Sequence, residues 1–425
     1  MFSGTPVNLL LQCARLYSRR LYSLSLPEFD LKYYCNANNS AEIKQNINKR
    51  KGVGDIDKVI NTYNFLTTTA KTEQEKDFLK DELYKELIKL PNRSHPMVEN
   101  YNDEAKVIKM INGIKDFVDH KPLEFSEITR LLNIMRTDRL GYTCGHKSYY
   151  FMGELAELEE ALIRYAVSRL VSKNFRLVSV PDILPSNVLV SCGMAVNNDR
   201  TQIYSLDPQH HGPDLCLSGT AEMSLAGLLM NTIHDLKSLP LKLAAVSRCY
   251  RAETSNLLEE RGIYRVHQFT KVEMFVVSTP EQSEEMLEYI RGVQETLFTP
   301  LDLHMRVLDM PPHELGAPAY RKYDIEAWLP GRQAFGEISS CSNCTDYQSR
   351  RLHIKYNNEG NHDFVHTLNG TACAVPRTLI ALLETHQGAK GKISIPKILQ
   401  PFMSNKQYIT KNSRVPDLKL AKLKK

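Results

Sequence analysis

Six charged residues stand within apolar stretches of the chain, where a simple hydrophobic core would exclude them. They are Arg251, Glu253, Arg265, Glu273, Glu337 and Arg377. Buried charges persist only when they pair with each other or with a ligand. Each one alone is most simply an ordinary surface charge, but the combination favours a site for a charged ligand such as a nucleotide.

The sequence lacks the glycine-rich loops that usually hold phosphates. Neither G-x-G-x-x-G nor G-x-x-x-x-G-K-[ST] occurs, so a nucleotide must be held in another way. Nine scattered cysteines favour a reducing compartment over a disulfide framework. Cys341 and Cys344 form a C-x-x-C, but a zinc site needs two more ligands and no second pair lies near. Zinc is therefore disfavoured.

The elements that must position the charged residues are mixed in type. An amphipathic helix is predicted over 154–172, followed by a β-branched run over 175–184. Further predicted strands cover 241–253, 266–277, 305–310, 323–329 and 333–344, and further helices cover 221–234, 280–297 and 375–386. Because strands follow each other in hairpin order with helices at the margins, we expect an α+β domain around an antiparallel sheet.

Residues 28–120 predict a small, mostly helical N-terminal domain. Apolar residues recur at helical spacing over 56–66 and again over 79–90, with the polar segment TTTAKTEQEKD between them as a turn. This pattern predicts a helical hairpin with arms of roughly 15–19 residues that can project about 22–28 Å. Pro91 ends it, because proline cannot continue the helical hydrogen bonds.

Composition and the chain ends bear on location and partners. The 425 residues are 42% hydrophobic and 24% charged with net charge +5, which indicates a globular protein with no membrane span and allows a nucleic-acid partner. Residues 1–27 contain three arginines and no acidic residue, which predicts a mitochondrial transit peptide rather than a disordered basic terminus. Residues 406–425 are basic, and they form a phosphate-contacting surface or a solvated end.

Several long motifs resemble those of class II aminoacyl-tRNA synthetases, and seryl-tRNA synthetases in particular. The second family motif is similar to CYRAETSNLLEERGIYRVHQFTKVEMF (249–275), the third to LNGTACAVPRTLIALLE (368–384), and the first to FRLVSVPDIL around Pro181. SGTAE (218–222) resembles the serine-binding loop, and FGEISSCSNCTDYQSRR (335–351) adds to the likeness. The segments QIYSL, PAYRKYDIEAWLPGR and TACAVPR are similar to those of animal mitochondrial members in particular.

The resemblance implies an ATP site and its residues. Arg251, Glu337 and Arg377 would be catalytic, with Arg251 between the serine carboxylate and the α-phosphate and Arg377 on the γ-phosphate. The implied ATP-binding set is Arg251, Glu253, Arg265, Phe269, Glu337, Ser340 and Arg377. In the family, Glu253 accepts from the adenine amino group and Phe269 stacks on the base. Glu337 and Ser340 would hold Mg²⁺. The simpler alternatives are that Phe269 is an ordinary core residue, Glu337 a surface carboxylate and Ser340 a turn hydroxyl.

The resemblance also implies a serine subsite and a tRNA partner. Serine would be bound by Thr220, Glu222, Arg251, Glu273, Asn369 and Thr371. A site that hydrogen-bonds the substrate hydroxyl should reject alanine and glycine. The expected activity is mitochondrial serine–tRNA ligation. A catalytically inactive synthetase-like partner and a ligase that charges a carrier protein are the alternatives.

The expected organisation follows from the same motifs. We expect a transit peptide over 1–27, the hairpin domain over 28–120, the catalytic domain over 121–405 and a basic tail over 406–425. The first motif implies a dimer, either of identical chains or with a paralogue. The hairpin is shorter than the arm usual in the family. We therefore expect mitochondrial serine tRNA to be held partly by the tail and by Lys44, Lys49, Arg50 and Lys51.

Overall fold

The computed structural model describes residues 26–101, 103–137, 144–194, 202–212, 214–253 and 262–414. All but the last two residues of the predicted transit peptide, and the chain after Arg414, lie outside this part. The helices are α1 Leu31–Tyr34, α2 Ser40–Lys49, α3 Ile56–Thr68, α4 Glu73–Leu87, α5 Phe125–Leu132, α6 Glu154–Ser172, α7 Ser186–Ser191, α8 Pro208–His211, α9 Ala221–Leu228, α10 Ser283–Phe298, α11 Tyr347–Leu352 and α12 Val375–His386.

Eight of the seventeen strands in the described residues belong to one large sheet. They are β1 Lys106–Ile111, β2 Met135–Arg136, β3 Tyr150–Phe151, β4 Arg176–Val178, β5 Ile183–Pro185, β6 Leu215–Leu217, β7 Ile233–Asp235, β8 Leu241–Tyr250, β9 Gln268–Ser278, β10 Met305–Asp309, β11 Arg321–Leu329, β12 Ala334–Asn343, β13 Lys355–Asn358, β14 Asn361–Phe364, β15 His366–Ala374, β16 Ile393–Ser394 and β17 Tyr408–Ile409.

Eight strands form the central sheet in the order β1-β10-β11-β12-β15-β9-β8-β4. All neighbours are antiparallel except β4, which runs parallel to β8. The predicted antiparallel α+β fold is confirmed. Because the order places β8, β9, β15 and β12 side by side, segments far apart in the chain meet at the centre of the sheet.

The two faces of this sheet bury different sets of side chains. Along β9, Met274 and Val276 belong to the main core under α6, α10 and α12, whereas Phe275 and Val277 face a second apolar cluster around α9. Full burial of each such side chain contributes about 1.5–3 kcal/mol. Glu273 is two residues before Phe275 in the same strand, so its carboxylate lies on the face of the sheet that carries the second apolar cluster.

The predicted helical hairpin is formed by α3 and α4, but its turn is shorter than expected. The arms have 13 and 15 residues, which span about 20 and 23 Å. The polar segment predicted as turn contains the start of α4, where Thr72 and Glu75 form a reciprocal capping box. The threonine side chain accepts from the Glu75 N–H and the glutamate accepts from the Thr72 N–H, so polar residues begin this helix.

Three other predicted elements differ in extent. The helix predicted over 221–234 ends at Leu228, and Asn231 adopts a left-handed φ of 57° before β7. The strand predicted over 175–184 divides into β4 and β5 on either side of Pro181. Residues 106–111, in the predicted hairpin domain, form the edge strand β1 of the central sheet. Long-range pairing decides each of these outcomes.

Arg50 is buried between the hairpin region and the segment around Ala319, so the expectation that it contacts tRNA is wrong. Its guanidinium is buried, and Nη1 donates to the carbonyls of Asn92 at 2.7 Å and Ala319 at 2.9 Å. Burial lowers the pKa of Arg50 to about 10. Of its predicted neighbours in tRNA binding, Lys44 pairs with Asp57 at 2.6 Å.

The first part of the predicted C-terminal tail packs on the domain. Tyr408 and Ile409 pair with β16, and Ile409 is fully buried. The Asn412 N–H donates to the carbonyl of Leu132 at 2.9 Å. Within the described ranges, no helix is both long and apolar enough to cross a membrane.

Candidate active site

A pocket opens at the centre of the sheet, beside the first turn of α12. Eight of the twelve predicted site residues line it: Arg251, Glu253, Arg265, Phe269, Glu337, Ser340, Thr371 and Arg377. The other four are Thr220, Glu222, Glu273 and Asn369. Among these, Glu273 contacts the pocket residues Lys271 and Thr371. Glu222 in turn interacts with Glu273 and Asn369, and Thr220 accepts from its backbone N–H.

Arg251 is held at the end of β8 by its backbone and by its side chain. Its N–H donates to the His267 carbonyl at 2.9 Å, and Nε reaches the Gly219 carbonyl at 3.4 Å. The guanidinium lies 5.3 Å from the ring centroid of Phe269. A planar guanidinium held this way presents its remaining N–H groups to the pocket, where they suit a carboxylate or a phosphate.

Arg377 and Glu337 form an ion pair across the pocket. Arg377 Nη1 donates to Glu337 Oε2 at 2.9 Å, and its guanidinium lies 4.5 Å from the Tyr264 ring centroid. Burial alone would raise the pKa of Glu337, but the charges of Arg377, Lys322 and Arg251 lower it to about 2. Burial likewise opposes the charge of Arg377, yet Glu337 raises its pKa. Both groups are therefore charged at neutral pH.

The start of α12 adds a second favourable field for anions. Ala374 and Pro376 line the pocket with Arg377, and proline occupies the first turn of this 12-residue helix. The N-terminus of a helix carries partial positive charge and backbone donors that attract phosphates. The arginine side chains and the helix terminus therefore act together on a bound anion.

Glu253 and Arg265 face each other in the pocket. Arg265 Nη1 lies 3.7 Å from Glu253 Oε2, and the Glu253 side chain is almost completely buried. Residues 254–261, which connect the two, lie outside the described part of the chain. A buried carboxylate beside Phe269 in one pocket provides an acceptor next to an aromatic surface.

The deeper part of the site is dominated by carboxylates. Glu273 pairs with Lys271 at 2.5 Å and lies 3.5 Å from the hydroxyl of Thr371. The Thr220 hydroxyl caps α9 by accepting from the Glu222 N–H at 3.3 Å. Burial and the charge of Glu273 raise the pKa of Glu222. Carboxylates and hydroxyls in this arrangement can bind a small cation that carries a hydroxyl.

Sequence reasoning missed three residues that shape the site. Lys271 stands on the same face of β9 as Glu273, so the alternation around that glutamate is a signal for it. Tyr264 precedes Arg265 and packs against Arg377. Gln348 donates to Glu222 at 2.6 Å, but the two are 126 residues apart, and no spacing in the chain relates them.

The residues predicted for Mg²⁺ fit an oxygen-bound ion that arrives with its ligand. Glu337 is ionised, and it lines the pocket together with Ser340, so both offer oxygen ligands. Among the described residues, no group of three or more His, Cys, Asp or Glu side chains is placed to hold a metal. The remaining ligands would therefore come from water and phosphate oxygens.

The cysteines near the site are structural. Cys341, Cys344 and Cys373 are buried, and burial raises the pKa of each thiol. All eight cysteines of the described residues are free thiols. Neutral, enclosed thiols are poor nucleophiles.

Comparisons with known proteins identify the family. Residues 204–386 match the tRNA synthetase class II core domain (G, H, P, S and T). The mitochondrial serine–tRNA ligase of Mus musculus is 46% identical over 342 residues, which cover 80% of this chain and 65% of the mouse protein. The serine–tRNA ligase of Rubrobacter xylanophilus is 41% identical over 336 residues, covering 78% of both chains.

A solved structure extends the likeness to the whole fold. The seryl-tRNA synthetase of Pyrococcus horikoshii complexed with ATP superposes with a TM-score of 0.76 at 32% identity, covering 95% of this chain and 93% of that one. The chain spans about two thirds of the length of the mouse relative. From the motifs, the fold and these relatives, the chain belongs to the seryl-tRNA synthetase family of class II aminoacyl-tRNA synthetases.

Proposed function

We propose that this chain is a serine–tRNA ligase. In the first step the serine carboxylate attacks the α-phosphorus of ATP, forming seryl-adenylate and releasing pyrophosphate. In the second, a hydroxyl of the tRNA 3′-terminal ribose takes the seryl group and AMP leaves. The observation that carries the proposal is the pairing of a pocket rich in arginines with a deeper subsite rich in carboxylates.

The arginines act by position and charge. Arg251 contacts both the serine carboxylate and the α-phosphate in this proposal, so it brings two anions together and stabilises the charge that develops between them. Arg377, at the start of α12, holds the γ-phosphate, and Arg265 gives a further phosphate contact. Glu337 keeps Arg377 oriented and charged.

The adenine is bound in the same pocket, so Arg377 contacts both the base and the γ-phosphate. Glu253 accepts from the adenine amino group, Phe269 stacks on one face of the base, and Arg377 covers the other. Support comes from the burial of Glu253 and from the placement of all three side chains in one pocket. Mg²⁺, held by Glu337 and Ser340, would neutralise phosphate charge when ATP is bound.

Serine is selected in the deeper subsite. The carboxylates of Glu222 and Glu273 attract its ammonium group, and Thr220, Thr371 and Asn369 provide partners for its polar groups. An amino acid without the hydroxyl leaves these buried groups unpaired, so alanine and glycine are rejected. Threonine adds a methyl group and is excluded by the shape of the pocket.

Serine-dependent exchange of pyrophosphate into ATP tests the activity. We expect exchange with serine and at least about 10²-fold less with alanine or glycine. Folded protein that performs no exchange would contradict the proposal and favour a non-catalytic partner role. Transfer assays with tRNA and with a carrier protein then identify the acceptor.

The cellular setting and assembly belong to the same proposal. Relatives named mitochondrial in mouse, cattle and yeast support import into the mitochondrion, and the composition of residues 1–27 supports the matrix as destination. The edge strand β4 and its neighbours expose Val171, Leu177 and Ile183, which supports a dimer through this apolar surface, with an identical chain or a paralogue. Mass measured in solution tests the dimer, and a monomer at micromolar concentration would contradict it.

Mitochondrial serine tRNA is the proposed acceptor. Lys49, Lys51 and the basic residues after 414 are the candidate phosphate contacts. Truncation after residue 414 removes these basic residues but keeps the buried Ile409, so it should leave the packing of the domain intact. We expect it to weaken tRNA binding in a salt-dependent manner without changing pyrophosphate exchange, and salt-independent binding would contradict the electrostatic account.

A further inference from the structure

A buried amide stands directly behind the serine subsite. Gln348, on α11, is fully buried, and its Nε2 donates to Glu222 Oε1 at 2.6 Å. Its own Oε1 accepts from the hydroxyl of Thr367 at 2.7 Å. Thr367 is also fully buried, so the chain Thr367–Gln348–Glu222 runs from β15 to the subsite with no solvent between its members.

The surroundings hold this chain in one arrangement. The Thr367 backbone donates to the Thr345 carbonyl at 3.0 Å and accepts from the Cys344 N–H at 2.9 Å. Reversing the amide of Gln348 would place its oxygen at hydrogen-bond distance from Glu222 Oε1, and two acceptor oxygens repel whenever this carboxylate carries its charge. The carboxylate therefore selects the amide nitrogen, and the Thr367 hydroxyl, which can donate or accept, donates to the amide oxygen.

We propose that Gln348 is a positioning residue that orients the carboxylate of Glu222 toward the ammonium group of serine. The inference rests on the proposed function, and it assigns to Gln348 an effect on serine binding but none on ATP. Gln348 lies outside the ATP pocket, and its contact with the subsite runs through Glu222. A hydrogen bond to a charged group carries enough free energy to change serine affinity by about 10-fold to 100-fold.

The test is Gln348→Met in the full-length chain, measured by pyrophosphate exchange. Methionine keeps the length of the side chain and removes both hydrogen bonds. We expect KM for serine to rise about 10-fold or more, with kcat within about threefold and KM for ATP unchanged. Gln387→Met is the matched control, because Gln387 is equally buried but donates to the carbonyls of Leu123 and Glu384. It should leave both KM values unchanged.

A second variant keeps the proposal testable if Gln348→Met does not fold. Thr367→Val removes one hydroxyl and preserves shape, and we expect KM for serine to rise about threefold while KM for ATP is unchanged. An unchanged KM for serine in the folded variant, or equal rises for serine and ATP, would overturn the positioning role while the proposed function stands. Absence of exchange in the wild-type chain would instead contradict the proposed function, and this inference with it.

Discussion

The hairpin and the pocket both carry many charges, but they use them in opposite ways. Between Ile56 and Leu90 there are seven acidic and six basic residues, and Lys76, Lys80 and Lys85 each pair with a carboxylate three residues before. These side chains are largely exposed. Pairs of this kind contribute about 0.2–1 kcal/mol, because water solvates both charges well.

In the pocket the charges are enclosed. Lys271 and Glu273 are 8% and 3% exposed, and Glu253 is 4% exposed beside Arg265. Removing charges from water is costly, and mutual attraction repays this only with good geometry or a ligand. The comparison teaches that the number of charged residues says little about function. The hairpin is nearly neutral and self-paired, so it offers phosphates little attraction, whereas the pocket concentrates charge for a substrate.

The largest effect is expected at Arg251. Under the proposed function, Arg251→Ala removes the charge that stabilises the reacting phosphate, so pyrophosphate exchange should fall at least about 10²-fold while the fold persists. Arg291→Ala is the matched control, since Arg291 pairs with Glu288 and Glu295 on α10, away from the pocket. Near wild-type exchange by Arg251→Ala would show that the assigned site is wrong.

The next largest effect is expected on the free energy of unfolding, to which buried and exposed ion pairs should contribute differently. Lys271→Met leaves Glu273 buried without its cation, so the free energy of unfolding should fall by about 3 kcal/mol. The double variant Lys271→Met with Glu273→Gln should recover part of that loss. Denaturant unfolding of the single and double variants measures both. A single-variant loss below about 1 kcal/mol would show that this pair is solvated like those of the hairpin.

The two ends of the site should also differ in pH dependence. The pKa of Glu222 is raised, so between its ordinary 4.5 and the raised value the folded protein holds a proton that the unfolded chain has released. Acidification through this window stabilises the fold but, under the proposed function, removes the charge that attracts serine. The pKa of Glu337 is about 2, so its carboxylate stays ionised over the same range.

KM for serine, measured at saturating ATP from about pH 8 to about pH 5, should therefore rise on acidification. The groups that act on Glu222 are Glu273, Lys271, Gln348 and Asn369. Glu222→Gln should have a higher but nearly pH-independent KM for serine. If the wild-type KM for serine does not change over this range, protonation of Glu222 has no effect on serine binding.

The smallest effect is expected on the hairpin. Lys85→Ala removes an exposed pair with Glu82, and the free energy of unfolding should change by less than about 0.5 kcal/mol. Because this lysine is already paired, tRNA affinity should change less than twofold. A larger loss of tRNA affinity would mean that the hairpin binds phosphates after all, and the contrast with the pocket would fail.

The sequence by itself determined the helices, strands and motif residues that depend on the pattern of neighbouring residues. The apolar repeat of α6 and the alternating residues of β9 predicted those elements closely, because helix and strand periodicity is written in neighbouring residues. The motif residues Arg251, Glu253 and Arg377 were identified through resemblance and through charge in apolar context. The capping box is also present in the sequence as Thr72 followed by Glu75, although the polar segment around it predicts a turn.

The tertiary structure alone decided which distant groups meet. Gln348 reaches Glu222 across 126 residues because α11 and α9 pack against the same apolar cluster. Arg50 resembles a surface cation in the sequence, but the carbonyls that bury it come from segments some 40 and 270 residues away. Hydrogen bonds and desolvation act at a few ångströms in space, so their partners are set by sheet order and helix packing and not by distance along the chain.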